Sequence, residues 1–238
     1  MKTIDRLAFY ESGLTSLSVP ASVDTIDDYA FYECSNLNTV TLQEGLKSIG
    51  TGAFASTGLK SVEIPKGVET IDLGAFAECE SLTTVTLNDG LVKISGGAFY
   101  DSPVTKIISH NERLVMSEND MELIDTETET LVVFLCSKLE REEYQISDNV
   151  KIIGDSAFYK CSDLETVTLN EGLMEISEYA FQSSGLVTVN FSTTVSSIGY
   201  AAFSWTNLES IDIPENVKTI GRNAFQDCHS LTTVTLHI

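Results

Sequence analysis

The sequence is poor in basic residues, with 14 Lys and Arg against 35 Asp and Glu, so the formal net charge at pH 7 is −21. A chain with this charge repels phosphate groups instead of neutralising them, which argues against a nucleic-acid partner. The same repulsion argues against docking on an anionic membrane surface. The acidic composition does not indicate disorder, because 42% of the residues are hydrophobic.

Long apolar runs are also missing. The longest is LVVFLC at residues 131–136, whereas a transmembrane helix needs about 20 apolar residues. We therefore predict no direct insertion into a membrane. The N-terminal stretch MKTIDRLAFYESGL has no apolar signal core. Either the protein stays inside the cell, or a leader was removed or lies outside this sequence.

The sequence has few residues in patterns that carry chemistry. The histidines His110, His229 and His237 stand in no metal-binding motif, and no Cys-x-x-Cys or nucleophile-elbow motif occurs. GLKSIGTG lacks the lysine of a phosphate-binding loop, and DTETET at 125–130 lacks the glycine and final glutamate of a calcium loop. We predict no catalytic residue, no metal and no cofactor, and we do not expect an enzyme.

One repeated pattern dominates the chain. Ala-Phe occurs nine times, with the phenylalanines at Phe9, Phe31, Phe54, Phe76, Phe99, Phe158, Phe181, Phe203 and Phe225. An isoleucine stands five residues before each phenylalanine, and these isoleucines are 22 or 23 residues apart except for one gap of 59. An LxxVxL pattern follows each phenylalanine after five or six residues, as at Leu37, Val40 and Leu42.

This repeat predicts a solenoid of the α/β class. LxxVxL ends in alternation and is rich in Val and Thr, which indicates a short, half-buried strand. The spacing of Ile and Ala-Phe suits one turn of α or 3-10 helix. A strand and a helical turn in 22–23 residues form one coil of a right-handed stack of about nine coils, with a parallel sheet on one face and helical turns opposite.

The coil that begins at Ile49 illustrates the expected core. Its inward residues are Ile49, Ala53, Phe54, Leu59, Val62, Ile64 and Val68. Burying these side chains does not offset the entropy lost in ordering a whole coil. A single coil is therefore not expected to fold, and the coils must stack on one another.

The repeat resembles the BspA-like family of leucine-rich repeats, found on surface proteins of bacteria and some protozoa. The units SVDTIDDYAFYECSNLNTVTL and VKIIGDSAFYKCSDLETVTL are close to that family's pattern, and the resemblance covers about 1–108 and 150–238. It implies a leucine-rich-repeat fold and display at the cell surface or secretion. It also implies attachment to host proteins or other cells.

We predict one continuous solenoid made of a first block (1–108), an acidic insertion (109–149) and a second block (150–238). Within the insertion, MELI, DTETET and LVVFL predict a β-hairpin with an acidic turn. The resemblance implies an irregular unit that starts a second block. The insertion is interpreted as an elaborated structural repeat, with a binding loop as the alternative, because long loops are only sometimes functional.

Four of the five cysteines share one repeat position, three residues after the repeat phenylalanine: Cys34, Cys79, Cys161 and Cys228. Ser183, Thr57 and Ser102 fill this position in other coils. Two coils separate the nearest of these cysteines, or about 9–10 Å, whereas a disulfide needs Cα atoms within about 7 Å. We therefore predict buried free thiols, and we predict that Cys136 in the insertion is unpaired.

The predicted strands present two outward positions each, and thirteen of these eighteen positions hold Ser or Thr. Threonine favours strands and hydroxyl rows stabilise neighbouring strands, so a structural explanation is available. The functional interpretation is an extended surface for a protein or glycan partner, because solenoids commonly bind on this face. The candidate binding residues are Thr39, Thr41, Glu63, Thr84, Thr86, Lys106, Ile108, Thr166, Thr168, Asn190, Asp212 and Thr235.

Two further features bear on partners. The aromatic residues that follow the repeat phenylalanine, Tyr10, Tyr32, Tyr100 and Tyr159, and Trp205 one position further on, are a second candidate surface, with coverage of the coil edge as the alternative. Neither end of the chain shows a polar cap, which predicts a segment of a longer protein or end-to-end self-association. The predicted function is a non-catalytic interaction or adhesion scaffold, and the alternative is a structural spacer of a larger surface protein.

Overall fold

The computed structural model describes residues 2–237. The chain divides into two compact units, Met1–Met116 and Ser117–Ile238. In both units it winds as a parallel β-solenoid, with about ten coils in all. The predicted stack of short coils is therefore confirmed.

The first unit contains one five-stranded sheet and two smaller sheets. Its strands are β1 (Thr3–Ile4), β2 (Ser16–Ser18), β3 (Thr25–Ile26), β4 (Thr39–Thr41), β5 (Ser48–Ile49), β6 (Ser61–Ile64), β7 (Thr70–Ile71), β8 (Thr84–Leu87), β9 (Lys93–Ile94), β10 (Lys106–Ser109) and β11 (Leu114–Met116). The even-numbered strands pair in parallel as β2–β4 and β6–β8–β10, and they are the strands that the sequence predicts. The strands β1, β3, β5, β7 and β9 form a second parallel sheet, built on the repeat isoleucines, that the sequence analysis missed.

The second unit repeats this arrangement after a hairpin. Its strands are β12 (Glu122–Asp125), β13 (Thr130–Phe134), β14 (Glu143–Gln145), β15 (Ile152–Ile153), β16 (Thr166–Thr168), β17 (Glu175–Ile176), β18 (Thr188–Asn190), β19 (Ser197–Ile198), β20 (Ser210–Ile213), β21 (Thr219–Ile220) and β22 (Thr233–Leu236). The antiparallel pair β12–β13 confirms the predicted hairpin. The odd-numbered strands from β13 to β21 share one sheet with β12, and the even-numbered strands from β14 onwards pair as β14–β16–β18 and β20–β22.

The core of each unit is a column of stacked phenylalanine rings. All seven core residues predicted for the coil at Ile49 are buried. In the first unit Phe31 and Phe54 lie with ring centroids 5.1 Å apart and nearly parallel. In the second unit the column includes Phe134, whose ring lies 4.5 Å from that of Phe158. The insertion therefore supplies a coil with its own core phenylalanine, although it lacks the Ala-Phe pair.

The predicted helical turn is present in only one of the nine coils, where Gly96–Phe99 is a 3-10 helix. In the other eight described coils the backbone is left-handed two residues before and two residues after the phenylalanine, as at Tyr29 (φ 57°) and Glu33 (φ 58°) around Phe31. A left-handed residue interrupts a right-handed helix, so this segment forms turns. The coil of Phe99 follows the same rule. The residue two positions before its phenylalanine, Gly97, has a φ of −85° and is not left-handed, so the 3-10 helix can form there.

Three cysteines at the repeat position are free, as predicted: Cys34 and Cys79 are buried, whereas Cys228 is only half-buried, which the prediction of buried thiols missed. The Cys34 thiol donates a hydrogen bond to the carbonyl oxygen of Phe9 on the preceding coil at 3.0 Å. Hydroxyl groups take this position elsewhere, and in the coil of Phe181 the residue is Ser184, whose Oγ donates to the Phe181 carbonyl oxygen at 2.8 Å. The assignment of Ser183 to this position is wrong, since Ser183 is the left-handed residue before it (φ 58°).

The prediction that Cys136 is unpaired, and that Cys161 is a free thiol, is wrong. Cys136 and Cys161 form a disulfide with their Cα atoms 5.5 Å apart. The distance argument failed because it compared only cysteines of regular coils. Cys136 lies two residues after Phe134, whose ring packs at a tilt against that of Phe158, so the two cysteines lie on adjacent coils instead of two coils apart.

Candidate functional site

In each unit, the outward side chains of the strands that pair as β2–β4, β6–β8–β10, β14–β16–β18 and β20–β22 form what we call the even-strand face. In the first unit this face contains seven of the predicted binding residues. Thr39, Thr41, Glu63 and Lys106 are exposed, whereas Thr84, Thr86 and Ile108 are half-buried. The predicted alternation is therefore correct, because the residues between them, such as Val85 and Ile107, are buried.

Strand register arranges these residues in rows. Thr84 pairs with Ser61 on one side and with Lys106 on the other. Thr86 pairs in the same way with Glu63 and Ile108. The row Ser61–Thr84–Lys106 thus ends in a cation. The second row, Glu63–Thr86–Ile108, places an acid, a hydroxyl group and an apolar side chain next to one another.

In the second unit, Thr166 and Thr168 are half-buried and Asn190 is exposed. The Asn190 side-chain amide donates a hydrogen bond to Thr168 Oγ1 at 3.0 Å. Sequence analysis missed two members of this face, since Glu143 and Gln145 pair with Thr166 and Thr168. Their signal is the alternation of exposed polar residues with the buried residues Tyr144 and Ile146.

The last predicted residues, Asp212 and Thr235, are exposed and pair across strands β20 and β22. His237 joins them, with its Nε2 atom 2.6 Å from Oδ1 of Asp212. Sequence analysis did not connect these two residues, because they are 25 positions apart and only the coil spacing brings them together. When the imidazole is protonated, this contact is an exposed ion pair.

An acidic concavity of about 580 Å³ opens beside strands β14 and β16. One wall is the segment before and at the start of β14, and the other precedes and enters β16. The lining residues are Leu139, Glu140, Arg141, Glu142, Glu143, Asp163, Glu165 and Thr166. The exposed Arg141 Nη1 atom lies 3.8 Å from Glu143 Oε1. The lining is strongly negative because it contains five acidic residues and only this one basic residue. Thr166 and Glu143 belong both to this concavity and to the even-strand face.

The aromatic residues next to the repeat phenylalanines fall into two groups. Tyr10, which is 42% exposed, and the half-buried Tyr32 stack on each other with ring centroids 5.7 Å apart. The Tyr10 hydroxyl donates to Glu11 at 2.9 Å, and this bond, together with burial and nearby acids, raises the pKa of Tyr10 to about 12. Trp205, in contrast, is 54% exposed at a left-handed position and meets His229 edge-on.

A buried carboxyl group lies inside the hairpin. Glu122 is fully buried, and its Oε1 atom accepts a hydrogen bond from the Ser147 backbone N–H at 3.2 Å, whereas Oε2 has no partner. Burial raises the pKa of Glu122, and the Ser147 bond opposes this only in part. Burial, followed by the charge of Glu122, raises the pKa of Tyr144 to about 12.

The described part of the chain contains neither a cluster of metal-binding side chains nor a membrane-spanning helix. Within residues 2–237, no three His, Cys, Asp or Glu side chains group in a way that could hold a metal ion. Across the same residues, no helix has the length and apolar character needed to cross a bilayer.

Comparisons with known proteins agree with the repeat pattern. A family model described as "BspA type Leucine rich repeat region" matches residues 2–119 and 133–238 in six copies. No curated protein matches the chain.

Several solved structures share the fold. The pneumococcal vaccine antigen PcpA is similar with a TM-score of 0.65 and 21% identity over 92% of this chain, which spans 61% of that protein. A leucine rich cell surface protein from Faecalibacterium prausnitzii has a TM-score of 0.58 and 24% identity, with 99% of this chain and 83% of that one covered. A leucine-rich repeat protein from Eubacterium ventriosum has a TM-score of 0.57 and 21% identity, with 99% and 70% covered. At these identities the likeness shows the fold alone.

Proposed function

Because this chain belongs to the BspA-type leucine-rich repeat family, we propose that it is a non-catalytic binding module of a surface protein. Its partner is a protein or a glycan, held on the even-strand face. Repeat solenoids of this kind expose a long, regular surface whose shape is set by the coil and whose chemistry is set by the outward residues. The family supports an interaction or scaffold role in general, and the partner class and the adhesion role are the proposal.

The observation that carries the proposal is the state of Lys106. Its side chain is exposed on the even-strand face, and its ammonium group makes no hydrogen bond or ion pair within residues 2–237, in a chain with 35 acidic residues. Ile108, two positions further along the same strand, adds a half-buried apolar contact. An exposed cation next to an apolar side chain on the same strand is suited to an external partner.

The charge distribution favours a partner with a basic or neutral surface. A net charge of −21 attracts basic surfaces over a Debye length and repels acidic ones. Lys106 and Glu63 would then set register on the partner, while the threonine rows supply hydroxyl groups for hydrogen bonds to a backbone or a sugar. Such a flat surface provides area and polar contacts but no enclosed reaction site, which is why catalysis is not proposed.

Surface location is part of the proposal. One similar structure is described as a leucine rich cell surface protein. We infer that this chain is likewise displayed on the cell surface or secreted, where host proteins or glycans are the accessible partners. Epitope labelling of intact cells, compared with permeabilised cells, tests this location.

The experiment is a binding screen of the full chain against immobilised extracellular-matrix proteins, serum proteins and glycans at physiological salt. Lys106→Ala is compared with Lys93→Ala, which removes the same exposed charge from strand β9 in the other sheet. Asp212→Asn is compared with Glu209→Gln, an exposed residue just before strand β20. We expect saturable binding that at least one even-strand-face variant weakens about tenfold and that the controls leave intact.

The competing function is a structural spacer. A spacer predicts that the chain shows no saturable binding, or that Lys106→Ala and Lys93→Ala behave alike. Equal loss in both variants would point to general charge attraction and would contradict a defined binding face.

A further inference from the structure

We infer that the Cys136–Cys161 disulfide is a redox-controlled clasp that holds a strap, residues 137–142, against the neighbouring coil and so keeps the two walls of the acidic concavity together. The disulfide joins the insertion to the coil of Phe158 with a Cα–Cα distance of 5.5 Å. None of the three free thiols at the equivalent repeat position links two chain segments in this way.

The geometry begins with the path of the chain away from each cysteine. From Cys136 the chain runs through a short 3-10 helix, Cys136–Lys138, into the residues of the first wall, Leu139 to Glu143. From Cys161 it runs into the second wall, which contains Asp163, Glu165 and Thr166. The disulfide therefore stands where the two walls begin, and the concavity lies between the two segments that diverge from it.

At the far end of the strap, the backbone pairs with the coil. The N–H groups of Glu165 and Thr166 both donate to the carbonyl oxygen of Glu142, at 2.7 and 2.8 Å. From there strand β14 continues in parallel with β16. The strap is thus fixed at one end by strand pairing and at the other end by the disulfide.

Between these ends the middle of the strap is exposed. Glu140, Arg141 and Glu142 have exposed side chains, whereas Leu139 is half-buried and packs against the core of the second unit. Lys138 donates hydrogen bonds to the carbonyl oxygens of Asn119 and Asp120, which anchors it to the hairpin and not to the coil of Phe158. A segment with little burial and few bonds to its neighbour opens locally at low cost unless a covalent link prevents it.

Charge repulsion acts in the opening direction. Glu140, Glu142 and Glu143 on the strap side face Asp163 and Glu165 on the coil side, with Arg141 as the one base among the lining residues. Like charges at these separations repel weakly in water and are screened by salt. Reduction of the disulfide therefore removes the link that opposes this repulsion, and the strap moves away from the coil most readily at low ionic strength.

Opening the clasp is a two-electron reduction. A thiolate of an external dithiol reductant attacks one sulfur atom, forms a mixed disulfide and expels the other cysteine as a thiolate. The second thiol of the reductant then resolves the mixed disulfide and leaves as a cyclic disulfide. With two protons taken up, Cys136 and Cys161 end as thiols.

The test uses the full chain, oxidised or reduced with a dithiol, and measures hydrogen exchange of peptides that cover residues 137–142. Trypsin cleavage after Lys138 and Arg141 gives a second readout. Cys136→Ser removes the clasp without reductant, and Cys79→Ser is the control because Cys79 is a free buried thiol. If Cys136→Ser does not fold, reduction of the wild-type chain still decides the question.

We expect three reactive thiols in the denatured, unreduced protein, since two of the five cysteines are joined. Reduction, or Cys136→Ser, should accelerate exchange and cleavage in the strap by about tenfold or more at low salt and by less at about 1 M salt. Reduction of Cys136→Ser should add nothing, and Cys79→Ser should keep the slow exchange of the oxidised strap. Five reactive thiols in the unreduced protein, or a strap whose exchange is unchanged by reduction, would overturn the inference.

Discussion

Thr57 and Cys79 share one acceptor across two adjacent coils. The Thr57 hydroxyl donates to the carbonyl oxygen of Phe54 at 2.8 Å, and the Cys79 thiol donates to the same oxygen at 3.2 Å. Both side chains are buried. The same arrangement recurs in the second unit, where Thr206 and Cys228 both donate to the Phe203 carbonyl oxygen. Side chains thus satisfy carbonyl groups that the turns at the repeat phenylalanine leave without strand partners.

This sharing predicts a non-additive pair of substitutions. Thr57→Val or Cys79→Ala leaves one side-chain donor on the Phe54 carbonyl oxygen, and each should cost about 1 kcal/mol of unfolding free energy. The double variant removes both donors from a buried acceptor and should cost about 1 kcal/mol more than the sum. Urea unfolding of the four proteins, followed by circular dichroism, measures this coupling. Additive costs would show that the two donors act independently, and Thr39→Val on the exposed face should cost less than either.

Glu122 predicts a stability that falls as pH rises. Because burial raises the pKa of Glu122, the folded chain binds this proton more tightly than the unfolded chain. The penalty is absent below the ordinary carboxyl pKa, grows as pH rises, and is complete above the raised folded pKa. Glu122→Gln should therefore stabilise the second unit by about 1–3 kcal/mol at pH 8, with the gain shrinking towards pH 4.5.

Fluorescence of Trp205, the one tryptophan of the chain and a member of the second unit, reports this unfolding. The groups that face the carboxyl are Tyr144 and Ser147, and neither titrates below pH 8, so the change with pH belongs to Glu122. Glu118→Gln is the control because Glu118 is exposed. A gain that stays constant between pH 4.5 and pH 8 would contradict the assignment.

The left-handed turn residues predict an unusual response to glycine. Ser183 has a φ of 58°, a conformation that costs an ordinary residue about 1 kcal/mol and costs glycine almost nothing. Ser230 is exposed in the same unit and lies outside the left-handed region. Ser230→Gly should lower the free energy of unfolding by about 0.5–1 kcal/mol, because glycine loses more chain entropy on folding than serine does. Ser183→Gly should be more stable than this control by about 1 kcal/mol, and equal losses in thermal unfolding would show that the turn is not strained.

How much of the fold the sequence predicts depends on the length and regularity of each signal. The phenylalanine column and the strands of the LxxVxL pattern repeat at a fixed spacing, so counting residues was enough to place Thr84 and Lys106 at outward positions of their strands. The second sheet was missed because its strands, such as β5 (Ser48–Ile49), have two residues and no alternation to detect. Glycine marks the left-handed position in the coil of Phe54, but Tyr29 and Ala201 occupy it elsewhere and carry no such signal.

The candidate site was predictable to the same extent. Outward positions follow from alternation along each strand, which is why the twelve named residues lie on the even-strand face. Contacts between residues of an irregular unit and a regular coil do not follow from the repeat. Phe134 packs against Phe158 although no Ala precedes it. Because the repeat pattern does not identify this coil, it predicts neither the Cys136–Cys161 disulfide nor the strand that contains Glu143.

The phenylalanine column predicts a gradient of stability along the first unit. Phe54 is fully buried between Phe31 and Phe76, with ring centroids at 5.1 and 5.4 Å, whereas Phe9 is 41% exposed and, among residues 2–237, stacks on the ring of Phe31 alone. Phe54→Ala should cost about 3–5 kcal/mol, because a cavity opens between two coils that cannot close around it. Phe9→Ala should cost less than about half as much, because one side of its ring already faces solvent. Urea unfolding followed by circular dichroism measures both, and equal costs would mean that the coil of Phe9 is covered in solution by another surface, as end-to-end association predicts.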